Sequence, residues 1–116
     1  MNKLRNNILN TQDISSENLY IPEWKVEVEV RGLSGSARNR ILSNALNKKG
    51  EIDLNAMYPD LIIASLFEPG TNERIFGPED RDILNAKSGK ALERIARVAM
   101  DLSGLNEGQV EEKVKN

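Results

Sequence analysis

The sequence predicts an α+β fold, a small β-hairpin or sheet packed on four to five helices, and three observations predict it. Residues 24–31 alternate, with Trp24, Val26, Val28 and Val30 on one face and Lys25, Glu27, Glu29 and Arg31 on the other, the period of a half-buried strand. Beyond Leu33 the apolar residues recur three and four apart, behind Ser and Asp residues of helix-capping type. Gly and Pro divide these runs at Gly50, Pro69-Gly70, Gly77-Pro78 and Gly104.

Each element has its own local reason. Residues 3–10 form a short helix on the face shared by Leu4 and Ile8, weakened by Asn6, Asn7 and Asn10. Pro22 lacks a backbone donor and separates a short strand at 18–21 from the alternating one, which makes the pair a hairpin. Ser34 or Ser36 caps a helix to about Lys49, with Ile41, Leu42, Ala45 and Leu46 inward and Gly50 as its stop. Asp53 caps the next, in which Leu54, Met57, Tyr58, Leu61, Ile62 and Leu66 keep helical spacing. Pro59 removes one intrahelical bond there, so this element either kinks or restarts.

Residues 68–72 are a loop, and 73–76 a short extended piece whose Phe76 packs under the following helix. Pro78 suits a first helical position, with Glu79, Asp80 and Asp82 complementing the helix dipole before an end near Ala86. Ser88 caps the longest helix, striped by Leu92, Ile95, Ala99 and Leu102 and supported by a Glu93–Arg97 pair. It ends at Gly104, and a left-handed cap there folds Leu105 back onto Met100. Residues 106–116 read as a marginal helix or an acidic tail, and 1–17 as a flexible N-terminal arm on a single domain spanning 1–116.

Composition narrows the function. The chain has no histidine and no cysteine, which removes the commonest general base, thiolate chemistry, disulfides and ordinary zinc sites. Glu79, Asp80 and Asp82 lack the loop spacing of a calcium site, and Ser34-Gly35-Ser36 has neither a histidine to activate a serine nor a phosphate-loop lysine. No catalytic, cofactor-binding or metal-ligating set is read, and no partner-binding residue is assigned. No apolar run approaches the roughly 20 residues of a membrane span, and asparagines occupy the place of a signal peptide's apolar core, so the chain reads as soluble and intracellular.

Net charge is −2, unevenly spread. Residues 25–49 carry six bases (Lys25, Arg31, Arg38, Arg40, Lys48, Lys49) against Glu27 and Glu29, whereas 50–116 carry thirteen acids against eight bases. A small nucleic-acid-binding regulator using the basic helix 36–49 is therefore the competing function. With only five aromatic residues and no phosphate loop, a solvated helix face is the better reading of those charges, as core packing is of the sole tryptophan, Trp24.

A set of short motifs runs along nearly the whole chain in order: Ile8-Leu9, Gln12-Asp13-Ile14, Ile21-Pro22-Glu23-Trp24, Val28-Glu29-Val30-Arg31-Gly32-Leu33-Ser34, Asp53-Leu54, Leu61-Ile62-Ile63-Ala64, Glu68-Pro69-Gly70, Ile75-Phe76-Gly77-Pro78-Glu79-Asp80, Lys87-Ser88 and Leu102-Ser103-Gly104-Leu105. In content, order and spacing this resembles the phage tail assembly chaperones. One departure falls at the turn, where that family often has a glycine after the tryptophan and this chain has Lys25. The resemblance implies a non-enzymatic, cofactor-free protein of the host bacterial cytoplasm that is left out of the mature virion. Such a protein binds the tape-measure protein, keeps it soluble and brings tail-tube protein onto it, with self-association also open. The family is often made in a second, frameshifted form, and Lys115-Asn116 is compatible with slippery codons.

Overall fold

The computed structural model describes residues 2–105. Among these residues five α-helices and a three-stranded antiparallel sheet realise the predicted α+β class. In chain order these are α1 (Lys3–Leu9), β1 (Ser16–Ile21), β2 (Val26–Arg31), α2 (Gly35–Ala45), α3 (Leu54–Ser65), β3 (Leu66–Phe67), a 3₁₀ turn (Pro78–Asp80), α4 (Arg81–Asn85) and α5 (Gly89–Leu102). The readings of residues 106–116, including the tail and its codons, lie outside the described residues.

β1 and β2 pair from Ser16↔Arg31 to Ile21↔Val26, which leaves Pro22 to Lys25 as a four-residue turn. Trp24 thus belongs to the turn and not to the strand. The Ile21 carbonyl accepts from both the Trp24 and the Lys25 N–H, at 3.1 and 2.8 Å, and Lys25 closes the turn at a φ of 55°. That is the left-handed conformation a glycine adopts most easily, so the Lys25 departure falls where the backbone is least tolerant of a side chain.

Val28 and Val30 are buried against the helices as their alternation requires, whereas Val26, beside the turn, is 43% exposed. The third strand is missing from the sequence reading because Leu66 continues the helical spacing of the preceding run. In the fold, α3 stops at Ser65, and Leu66 and Phe67 pair with Val30 and Glu29.

α2 is capped by Ser34, whose side chain accepts from the Ala37 N–H, but ends at Ala45 and not near Lys49. Asn47 is responsible. Its side-chain oxygen accepts from the N–H groups of Lys49 and Glu51 at 2.9 and 3.0 Å, a local turn that outcompetes the helix, and Gly50 completes it at a φ of 79°.

α3 runs unbroken through Pro59. The proline leaves the Asn55 carbonyl without its helical donor. Next to it, Arg81 donates to the Ala56 carbonyl at 3.2 Å while holding Asp60 at 3.1 Å. Met57, Leu61 and Ile62 are wholly buried, and α3 packs against α2, α4, α5 and β2, as expected of a helix apolar on all sides. The predicted helix from Pro78 to Ala86 is a 3₁₀ turn followed by the five-residue α4.

Along α5, Ile95 and Ala99 are buried, with Leu92 and Leu102 packed at the margin of the core. Its end is a Schellman motif. Leu105 donates to the Met100 carbonyl at 2.7 Å, Gly104 to Asp101 at 3.4 Å, Gly104 has a φ of 68°, and Leu105 is fully buried. α1, by contrast, buries none of its residues.

Candidate functional site

The residues that the sequence offers for chemistry are spent on structure. Ser34 caps α2 and Ser36 lies 3.4 Å from it, hydroxyl to hydroxyl. The Asp80 carboxylate accepts from the Gly77 N–H at 2.8 Å, and among the described residues no group of three acids, histidines or cysteines is placed to hold a metal. The proposed basic helix is broken up. Arg38 donates to the carbonyls of Ser103 and Gly104, both at 3.0 Å, and Lys48 and Lys49 belong to the turn after α2. Arg31 lies on the outer face of the sheet, its guanidinium 4.0 Å from the centre of the Phe67 ring, and bonds Glu29 and the Thr71 carbonyl. Arg74 covers the same ring at 5.3 Å.

Among the described residues apolar surface is open to a partner in two places, besides the exposed Tyr20, Leu46, Leu54 and Ile83. The first is a groove of about 470 Å³ at the turn end of the hairpin, lined by Trp24, Val26, Val28, Leu66, Pro69, Ile75 and Phe76. Local structure assembles it. Ile75 donates to the Leu66 carbonyl at 3.2 Å and Arg74 bridges to Phe67, which sets the extended stretch 73–76 beside β3, on the edge away from β2. The turn raises Trp24 as the opposite wall. Trp24 is half-buried, partly packed on the core and partly open to the groove, so it is not the enclosed anchor read from the sequence. Ile75 is 41% exposed.

Three carboxylates, Glu27, Glu68 and Glu73, stand at the groove's edge. The Glu68 N–H donates to the Glu73 carbonyl at 3.0 Å, a loop closure that brings two of them together. The single base there, Arg74, is turned toward Phe67 and the Ala64 carbonyl. Glu23, in the turn, has its carboxyl held below the usual glutamate range by a side-chain hydrogen bond from Arg94.

The second apolar place is the arm. Leu4, Ile8 and Leu9 of α1 are 62–66% exposed, and Ile14 follows in the link to β1, itself half exposed. Sequence reasoning identified this helix and the face shared by Leu4 and Ile8, but not that the fold leaves that face uncovered. The groove was beyond it, since Trp24, Val26, Ile75 and Phe76 meet only through the pairing of β2 with β3 and the fold-back after it. No helix among the described residues is long and apolar enough to cross a membrane.

No protein-family model matches the chain, and no curated protein matches it either. Among solved structures it is similar to the bacteriophage HK97 tail assembly chaperone, with a TM-score of 0.58 at 17% identity, covering 87% of this chain and 98% of that one. At that identity the likeness is one of fold: the chain has a phage tail assembly chaperone-like fold.

Proposed function

We propose that the protein is a non-enzymatic tail assembly chaperone, one domain over residues 1–116, that acts in the cytoplasm of a host bacterium and is left out of the finished virion. In this reading it binds the tape-measure protein, keeps it soluble and promotes addition of tail-tube protein, without a cofactor. The observation that carries it is the shared fold with the HK97 chaperone over nearly the whole of both chains, together with motifs of the same family in the sequence. The physics agrees with such a role. An apolar groove binds an amphipathic helix through side-chain anchors, and binding of that kind requires no reactive group.

Co-expression tests the reading. The tape-measure protein is expected to move from the pellet to the soluble fraction when this protein is present and to co-purify with it. A tape-measure protein equally insoluble in both conditions ends the assignment. The nucleic-acid alternative loses its main support with Arg38 engaged at the end of α5 and the helix stopped at Ala45. Gel mobility of DNA at low and moderate salt checks it, and no retardation is expected.

A further inference from the structure

We infer that a separate groove, rimmed by arginines, docks an acidic amphipathic helix of a partner protein. The groove holds about 430 Å³ and lies between α2 and the start of α4. Three observations carry this, and none depends on the chaperone reading. First, the groove has positive charge that the fold leaves without a counter-charge. Arg81 is paired at 3.1 Å with Asp60, the one acid among the lining residues. Arg74 donates to the carbonyls of Ile63 and Ala64 and stands over the Phe67 ring, all of them neutral. Arg40 is exposed and takes part in none of the ion pairs among the described residues. Arg40 and Arg74 therefore face the groove uncompensated, in a chain whose net charge is −2.

Second, the surface between these arginines is apolar. Phe76, Pro78 and Ala64 line it, with Ile41 and Ile63 beneath. A phosphate or a nucleic-acid backbone leaves such a floor uncovered, whereas an amphipathic helix covers it with its apolar stripe and sets carboxylates against the rim.

Third, the elements form a trough. α3 packs on both α2 and α4, so its residues Asp60, Ile63 and Ala64 make the floor. Arg40 and Asn44, one turn apart on α2, make one wall, and Phe76, Pro78 and Arg81 the other. The stretch 73–76 divides this trough from the acid-edged groove beside Trp24, and Arg74 turns its charge away from that groove. An acidic helix is repelled there by Glu27, Glu68 and Glu73, so charge decides which of the two grooves it enters.

Fluorescence anisotropy on the full chain tests this with two labelled peptides of about 20 residues, long enough to be helical. Both carry glutamates flanking a stripe at helical spacing, of leucine in one and of glutamine in the other. The leucine peptide is expected to bind, more weakly as salt rises, and the glutamine peptide at least about tenfold less tightly. Arg40→Glu should weaken the leucine peptide about tenfold with circular dichroism unchanged, since the side chain is exposed. Lys48→Glu, the same charge change in the turn after α2 and outside the groove, should weaken it less than about twofold. Hydrogen exchange should slow over 74–81 when the leucine peptide is added. A leucine peptide that fails to bind at about 1 mM overturns the inference. Equal losses in Arg40→Glu and Lys48→Glu overturn it as well, as does exchange unchanged over 74–81. Equal binding of the two peptides, or displacement of the leucine peptide by a DNA duplex at comparable concentration, would make the groove a general anion site and also overturn it.

Discussion

The carbonyl oxygen of Leu102 stands 2.7 Å from the point where a β-carbon on Gly32 would lie. Strand β2 therefore meets the end of α5 with no room for a side chain, and neighbouring groups fasten the contact. The Leu33 N–H donates to the Ser103 hydroxyl at 3.0 Å, and the Arg38 guanidinium takes the carbonyls of Ser103 and Gly104. The segment 32–38, which begins α2, thus serves as the C-terminal cap of a helix some 70 residues later in sequence.

Gly32→Ala should destabilise the fold by about 1–3 kcal/mol, because the obstruction is backbone and not the end of a flexible side chain. Gly35→Ala is the control. A β-carbon there meets nothing within 4 Å, and the position is helical, so stability should hold or rise slightly. Thermal unfolding of the two variants measures this, and equal melting temperatures would refute the close approach.

Arg38→Met should cost about 1.5–3 kcal/mol, since it withdraws a charged donor from two carbonyls at the end of α5. Arg38→Lys should recover only part of that, an ammonium being unable to reproduce the planar fork. Urea midpoints that fall at constant slope would report the loss as one of stability.

The order of elements was legible in the sequence because its punctuation is local. Ser34, Asp53 and Ser88 each cap a helix within their own turn, and the Gly104–Leu105 motif closes on residues five positions back or fewer. Errors arose where local signals competed. Leu46 continues an apolar stripe, yet the Asn47 side chain captures the backbone and ends α2; Leu66 fits a helical period, yet Val30 offers it a strand. The groove was not legible, since Trp24 and Ile75 become neighbours only through two strand pairings. Nor was Arg38 as a cap, for its partners lie 65 and 66 residues away.

Trp24→Ala should cost about 2 kcal/mol, less than the roughly 3–5 of a fully enclosed tryptophan, because the side chain is half-buried in a turn. Lys25→Gly should stabilise the protein by about 0.5–1 kcal/mol by relieving a left-handed backbone at a non-glycine residue. Chemical denaturation of both resolves the turn. A destabilised Lys25→Gly would contradict the positive φ.

Glu29 makes stability depend on pH. A side-chain hydrogen bond from Arg31, and then the Gly70 N–H at 3.3 Å, hold its carboxyl below the usual glutamate range. The proton therefore binds more readily in the unfolded chain. The contribution is fully present above the ordinary glutamate value, about pH 4.3, and is lost as pH falls through the lower folded value. Glu29→Gln lacks that titration. The wild type should be the more stable of the two at neutral pH, and the difference between their melting temperatures should shrink steadily below about pH 4. Glu23 bends in the same direction through Arg94, but its side chain is more exposed than that of Glu29, 23% against 14%, so a parallel Glu23→Gln series should show a smaller, salt-sensitive effect. A gap between wild type and Glu29→Gln that stays constant from neutral to acid pH would mean the carboxylate is not held by Arg31 and Gly70, and that the loop after β3 is fastened to the sheet by other contacts.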